Sequence, residues 1–470
     1  MTASSPRHPI RRRPRHNPPA TDPRAASLAV LNRLDAGKAT LDAVLDDAAP
    51  MLAGLSHRDR ALFNQLVYGV LRWRLRLDAV IAAHAERPLK KISPPILNIL
   101  RLGLFQILFM DRIPASAAVN TAVNLARARK ASNATGFVNA LLRNALRDPQ
   151  RFCVPDALDS PVDHIALTHA FPHWLVSRWI DRMGLAQTDR LCAAMNTIPP
   201  ITLRCNGLKN DLAELVKALS DQTEVIEIVD TVPGGVNLIR PRLPIPKMRA
   251  FVDGRFSVQD GAAQLVSLLL APQPGETVLD ACAGLGGKAT HLAQLMDNRG
   301  AIVAMDNVNE KLARLKNDAQ RLGLSIIHTR RTDLNQPLAL ETLPRFDRIL
   351  LDAPCSGLGV LRRNPDAKWS SQPSDISRLA KQQARFLDHL APLVKKNGIL
   401  VFAVCSMEPE ENEGVIKPFL KNHTNFAITG APCMEEKTVL PFLGADGFFR
   451  TAPHIDQLDG FFAARLQRTR

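Results

Sequence analysis

Between residues 25 and 148 the apolar positions recur at helical spacing. Leu28, Leu31 and Leu34 fall three apart, and Ile96, Leu97, Leu100, Leu104, Ile107 and Leu108 follow one face of a 3.6-residue period. Prolines punctuate this pattern and predict helix ends near Pro50, Pro88 and Pro114. The polar positions carry Arg127, Arg129, Lys130, Arg143 and Arg147, so the segment reads as an all-α bundle with a basic face.

The pattern then changes twice. Over residues 153–255 a helix opens at Phe171-Pro172-His173-Trp174. Short β-type runs at 201–206, 225–229 and 236–239 surround a helix from 211 to 219 capped by Asn210 or Asp211. Pro233-Gly234-Gly235 is a turn. This predicts a small α+β domain. From Gly261 onward strands (276–282, 301–306, 325–329, 346–352, 399–405) alternate with helices (288–296, 310–322, 374–394). Such alternation implies a parallel sheet wound on both sides, an α/β Rossmann-like domain. The chain is thus multidomain, with a basic disordered arm over 1–24 and domains at 25–150, 151–255 and 256–470.

Length and composition agree with this division. A chain of 470 residues exceeds one core, and 46% hydrophobic residues suffice to build several. Lys plus Arg number 60 against 45 acidic residues, an excess that favours a polyanionic partner such as RNA or DNA. Seven cysteines without Cys-x-x-Cys argue against a disulfide scaffold and against a metal cluster, and fit reduced thiols in the cytoplasm. The longest apolar run, Pro95 to Met110, is broken by Asn98, Arg101 and Gln106, so no membrane span is expected. The first residues carry Arg7, Arg11, Arg12, Arg13 and Arg15 among six prolines, which bars an amphipathic targeting helix.

Chemistry concentrates where predicted strands end, the rim on which open α/β sheets place ligands. The first ends in Asp280-Ala281-Cys282-Ala283-Gly284-Leu285-Gly286-Gly287-Lys288. Glycines between strand and helix let backbone approach a ligand, but the spacing is not Gly-x-Gly-x-x-Gly and disfavours a dinucleotide. Asp306 ends the second strand, where a carboxylate suits a ribose diol and repels phosphate. Asp333 follows the third, placed for an adenine edge. A nucleoside without phosphates fits, and S-adenosyl-L-methionine is the obvious one.

Cys355, in Asp352-Ala353-Pro354-Cys355-Ser356-Gly357, and Cys405, in Val404-Cys405-Ser406, follow two further apolar runs. Carbon 5 of cytosine is too electron-poor to take a methyl group directly. A thiolate adding to carbon 6 enriches it, and the carbon 5 proton must afterwards leave. Two thiols on adjacent rims suit those two tasks, and Asp352 suits the amino edge of the base. Cys153, Cys192, Cys205 and Cys433 read as small buried hydrophobes and Cys282 as a wall of the cofactor loop. Arg362 and Arg363, beside the rim, are placed for phosphate contact. The histidines show no ligand spacing.

These segments resemble the RsmB (Sun/Fmu) family of ribosomal RNA cytosine-5 methyltransferases, whose motifs read Cys-Ala-Ala-Pro-Gly-Gly-Lys, Asp-Ala-Pro-Cys-Ser-Gly and Thr-Cys-Ser. The chain matches the first except at Gly284 and Leu285, the second fully, and the third with Val404 for Thr, followed by Glu408-Pro409-Glu410-Glu411-Asn412. The resemblance covers most of the chain. It implies a NusB-like helical domain, a small RNA-recognition-like module and a monomer acting on 16S ribosomal RNA. It implies Cys405 as nucleophile and Cys355 as the group assisting release. Residues 282–288 (Cys282, Ala283, Gly284, Leu285, Gly286, Gly287, Lys288) with Asp306, Asp333 and Asp352 would line the cofactor and base pocket. Lys288 would touch the base or the methionine carboxylate.

Two rival readings remain at this point. A DNA cytosine-5 methyltransferase would use Cys355 as nucleophile, and a non-catalytic RNA-binding factor would not bind the cofactor. An adenine N6 methyltransferase fits poorly, because Asp352-Ala353-Pro354-Cys355 lacks an aromatic clamp.

Overall fold

The computed structural model describes residues 22–37, 39–129, 132–431 and 436–470. Most of the arginine-rich arm, Lys130 and Cys433 lie outside them. The chain divides into two compact units, the first ending at Cys153 and the second running Val154–Arg470.

The first unit is all helical: α1 (Pro23–Ala36), α2 (Leu41–Leu52), α3 (His57–His84), α4 (Pro94–Phe109), α5 (Ala115–Ala128) and α6 (Ser132–Arg147). Asp22, Thr40 and Ser56 cap the first three by accepting backbone N–H groups. Helix α4 is central and buried on nearly every side, which is why its stripe reads so strongly. The polar residues that interrupt its apolar run are buried with it. Arg101 pairs with Asp78 at 2.7 Å and bonds Asn98 at 2.8 Å, so the charge is neutralised inside the bundle. Gly69 of α3 is packed under Phe105, whose ring would lie 2.0 Å from an added Cβ.

A helix does end near Pro50, as expected. Helix α2 runs on to Leu52, because proline removes only its own N–H and buried Leu52 holds the last turn in place. Leu108 leaves the predicted stripe and is exposed. Arg127, Arg129, Arg143 and Arg147 all face solvent, as the basic face required.

The second unit opens with helices α7 (Pro161–His169), α8 (His173–Met183) and α9 (Leu185–Met195). A four-stranded antiparallel sheet follows, in order β2-β3-β1-β4, from β1 (Ile201–Cys205), β2 (Thr223–Ile228), β3 (Gly235–Pro241) and β4 (Phe256–Val258). Helix α10 (Leu212–Leu219) starts in a capping box between Asp211 and Glu214, and the short α11 (Arg249–Val252) precedes β4.

The larger sheet has the order β10-β12-β9-β8-β5-β6-β7. Strands β5 (Thr277–Asp280), β6 (Ala301–Asp306), β7 (Ile327–Arg331), β8 (Phe346–Asp352) and β9 (Val394–Val404) are parallel. Helices α12 (Gly261–Leu270), α13 (Gly287–Leu295), α14 (Asn309–Leu322), the short α15 (Ala367–Ser370), α16 (Pro373–Leu390) and α17 (Glu413–Asn422) connect and flank them. Along β9 the side chains alternate between two cores. Val401 and Ala403 join Leu265, Leu269 and Leu292 on one face, whereas Leu400 and Phe402 join Phe386, Leu387 and Ile416 on the other.

The sheet is mixed, not parallel throughout as expected. Strand β12 (Phe461–Arg468) runs antiparallel to β9, and β10 (Phe426–Ile428) and β11 (Phe449–Thr451) are antiparallel to β12. Phe461-Phe462-Ala463-Ala464 is buried on both faces, so it shows no alternation from which a strand can be read.

Candidate active site

The chain reverses direction across the sheet between β5 and β8, and ligands in such sheets sit outside the strand ends at that point. Strand β5 stops at Asp280 and the loop to α13 turns on Gly284 and Gly286, both at positive φ. A Cβ on Gly286 would lie 2.4 Å from Leu315, so the close approach of loop and α14 demands glycine. Asp306, ending β6, accepts the Gly284 N–H at 3.0 Å and the Val308 N–H at 2.9 Å. It therefore shapes the loop as well as facing the cavity.

That cavity measures about 360 Å³ and is bounded by Cys282, Gly284, Asp306, Asp333 and Asp352 among the sequence-predicted residues. The structure adds Asn307, Lys311, Asn335, Pro354, Gln382 and Phe386. Lys311, Asn335, Gln382 and Phe386 lie in helices or loops with no motif around them, whereas Asn307 and Pro354 adjoin predicted residues and carry no charge or thiol to single them out. The other predicted residues lie elsewhere. Ala283 is buried in a small cluster with Ala289, Ala304 and Leu315. Leu285 is 54% exposed, so its departure from the family motif alters no packing. Gly286 opens α13, and Gly287 offers its carbonyl to Arg204 at 2.8 Å. Lys288 donates to Asp352 at 2.6 Å and lies 5.3 Å from the Phe461 ring centroid.

The donor set fits S-adenosylmethionine. Carboxylates at three strand ends favour a cation and a diol and oppose phosphate, while Pro354 and Phe386 give apolar walls for a flat base. Asp280 is fully buried beside this loop. Burial, then the Asp352 charge, pushes its carboxyl up to about 7. Folded chains thus keep this proton to near neutrality, whereas unfolded chains release it near pH ~4. The stability it contributes is full below ~4 and is lost as pH rises toward 7. Asp280→Asn abolishes that slope. Relative to wild type without cofactor, the variant should be more stable at pH 8 than at pH 5 by about 2–3 kcal/mol in denaturant titrations. Parallel pH profiles would count against this assignment.

Beside the cavity, β8 and β9 are parallel and in register, Asp352 opposite Ala403. Cys355 and Cys405 follow these strand ends, and their sulfurs lie 3.2 Å apart. Gly359 seals the arrangement. Its N–H donates to the Cys405 carbonyl at 3.0 Å, and a Cβ there would lie 1.9 Å from the Gly460 carbonyl. The Cys355 thiol is held well above its ordinary value by its hydrogen bond with Cys405 and then by burial. Cys282 is also raised, by burial and then by Asp280, and is a poor nucleophile.

Beyond Cys405, Glu408 and Glu411 are fully buried. Glu408 is held by Arg178, by Trp179 Nε1 at 2.8 Å and by Arg182 at 3.4 Å, all from α8. Glu411 accepts from Ser356 and Ser406, the residues following each cysteine.

Some expectations need correction. Arg362 and Arg363 are not a phosphate-facing pair. Both ion-pair with buried Asp459, and Arg363 also reaches Asp260 at 2.7 Å, so their charge is spent inside the protein. Cys192 is buried and Cys205 half-buried, but Cys153 is exposed and donates to the Gln150 carbonyl at 3.0 Å. No helix of the described residues is long and apolar enough to cross a membrane.

The switch-point loop, its glycines and the carboxylate at the end of the next strand define a methyltransferase domain that takes S-adenosylmethionine. Residues 267–467 match the family model described as 16S rRNA methyltransferase RsmB/F, residues 21–147 the NusB family, and residues 171–245 the RsmF/B-like ferredoxin-like domain. The chain belongs to the RsmB family of ribosomal RNA small subunit methyltransferases. It is 38% identical over 418 residues to the probable ribosomal RNA small subunit methyltransferase B of Bacillus subtilis (strain 168), covering 88% of this chain and 92% of that one. Identity to ribosomal RNA small subunit methyltransferase B of Pasteurella multocida (strain Pm70) is 36% over 458 residues, covering 94% and 95%. Among solved structures, PH0851 superposes with a TM-score of 0.79 at 25% identity, covering 95% of this chain and 99% of that one. The protein is an S-adenosylmethionine-dependent ribosomal RNA methyltransferase.

Proposed function

We propose that the protein methylates carbon 5 of a cytidine in 16S ribosomal RNA, with Cys405 as covalent nucleophile and Cys355 as the residue that completes release. The observation carrying this reading is the pair of sulfurs 3.2 Å apart, directly beside a carboxylate-lined nucleoside cavity. In this reading Asp352 accepts from the amino edge of the base, with Lys288 holding the carboxylate in place. The Cys405 thiolate bonds to carbon 6 and electron density moves to carbon 5. S-adenosylmethionine would be held by Asp306, Asp333, Cys282 and Gly284, and would supply the electrophilic methyl group that carbon 5 accepts as the sulfonium–methyl bond breaks, leaving a neutral thioether.

Release then requires the carbon 5 proton to leave, the ring double bond to re-form and the carbon–sulfur bond to break. The raised Cys355 thiol is protonated at neutral pH. It gives its proton to the departing Cys405 sulfur and takes up the one from carbon 5, which exchanges with water, and the Cys405 thiol then loses its proton to water to regenerate the thiolate. The protein acts as a monomer in the cytoplasm, and the exposed arginines of α5 and α6 hold the RNA backbone while the base turns into the pocket.

Tritium at carbon 5 tests the reading. With 16S ribosomal RNA so labelled in its cytidines, one tritium should pass to water for each methyl group transferred. Methyl transfer without tritium release would place the methyl on another atom and overturn the proposal.

A further inference from the structure

One carboxylate takes hold of the residue that follows each sulfur, and the chemistry above gives it no part. One Glu411 oxygen accepts from the Ser356 backbone N–H at 2.8 Å and from Gln383 Nε2 at 3.1 Å. The other accepts from Ser356 Oγ at 2.5 Å and Ser406 Oγ at 2.6 Å. Gln383 Nε2 also donates to the Pro354 carbonyl at 2.9 Å, on the other side of Cys355. Strand pairing aligns β8 with β9 only to their ends, and both cysteines lie past them. Separation at the sulfurs is therefore left to the loops, and Glu411 bridges those loops.

The anchor is itself anchored. The Glu411 N–H donates to the Glu408 carbonyl at 3.0 Å, and Glu408 is fixed to α8 through Arg178, Trp179 and Arg182. A fully buried carboxylate is tolerated only where its oxygens are satisfied, and here four donors converge on it.

We infer that Glu411 is a positioning residue, which keeps the Cys355 and Cys405 sulfurs at the separation that covalent turnover requires. This rests on the two-cysteine reading of the site. Its action is geometric. A glutamine at 411 retains one acceptor oxygen for the Ser356 N–H and Gln383, and its amide donates to the two serine hydroxyls, which then accept. Alanine removes all four bonds.

Closure of the Cys355–Cys405 disulfide by diamide measures the separation without substrate. The two thiols lose two hydrogens, diamide takes both up to become a hydrazine, and a sulfur–sulfur bond forms. Peptide mapping reports the pair. Full-length wild type should close readily. Glu411→Ala should close at least about tenfold more slowly and lose about 100-fold in kcat, with KM for S-adenosylmethionine within about twofold. Glu411→Gln should stay within about fivefold of wild type in both rates. If Glu411→Ala does not fold, the Ser356→Ala/Ser406→Ala double variant, which strips two of the four donors, takes its place with the same expected losses. Wild-type closure in the alanine variants, or a glutamine variant as slow as alanine, overturns the inference. Failure of the two-cysteine chemistry itself would look different. Closure would follow the expected order of variants while Cys405→Ala still turned over.

Discussion

Replacing Cys405 with alanine should abolish methyl transfer and, with it, covalent capture of RNA. The nucleophile has no substitute in the site. In the variant Cys355 loses its hydrogen bond with Cys405, but burial still raises its thiol, and Cys282 is raised by burial and by Asp280. Loss of the attacking group should lower kcat by at least about 10⁴-fold, roughly 5.5 kcal/mol of transition-state stabilisation. Loss of fold cannot account for this, since removing one half-buried sulfur should change stability by only about 1 kcal/mol. RNA carrying 5-fluorocytidine provides the sharper measurement. Fluorine cannot leave as the proton does, so the wild-type adduct persists through denaturing electrophoresis, and Cys405→Ala should form none. Capture by Cys405→Ala and not by Cys355→Ala would instead make Cys355 the nucleophile.

Strand ends were the most legible part of the sequence. Strands β6 and β8 appear with the expected bounds because each is a short apolar run stopped by an aspartate. Strand β9 begins five residues before its expected start, since Lys395-Lys396-Asn397 reads as a loop although it lies in the strand, with Asn397 at positive φ. Strands β10 to β12 were not anticipated at all. They are short or buried on both faces, and their pairing depends on β9, which lies well before them in the chain. The two cysteines could be singled out because thiols at strand ends are rare chemistry, whereas their support was hidden. Glu408-Pro409-Glu410-Glu411 looks like a solvated acidic turn. Two of its carboxylates are buried only because Arg178, Trp179 and Arg182, more than 220 positions earlier, meet Glu408, and Ser356, Ser406 and Gln383 meet Glu411. Arg362 and Arg363 mislead for the same reason, since their partners Asp459 and Asp260 lie about 100 residues away on either side. Burial of charge is decided by tertiary partners, and local pattern carries no trace of them.

Replacing Cys355 with alanine should produce the opposite phenotype from Cys405→Ala. Attack on carbon 6 and methyl uptake need only the Cys405 sulfur and the bound donor, so both should still occur. Elimination needs a group that delivers a proton to the departing sulfur and removes the one from carbon 5. In the proposed mechanism Cys355 makes that exchange, its sulfur lying 3.2 Å from that of Cys405 and its own proton retained at neutral pH. Without it the covalent complex should accumulate on ordinary, unfluorinated RNA. Turnover should fall by about 10²–10⁴-fold, the span of general acid–base assistance, while the first methyl transfer remains close to stoichiometric with enzyme. The measurement is a denaturing gel of enzyme, RNA and labelled S-adenosylmethionine, in which label and RNA should shift together with the variant protein and not with wild type. A variant that turns over normally and leaves no retained RNA would reduce Cys355 to a wall of the pocket. The proton exchange would then have to pass through water alone, and the 3.2 Å contact would have no role in release.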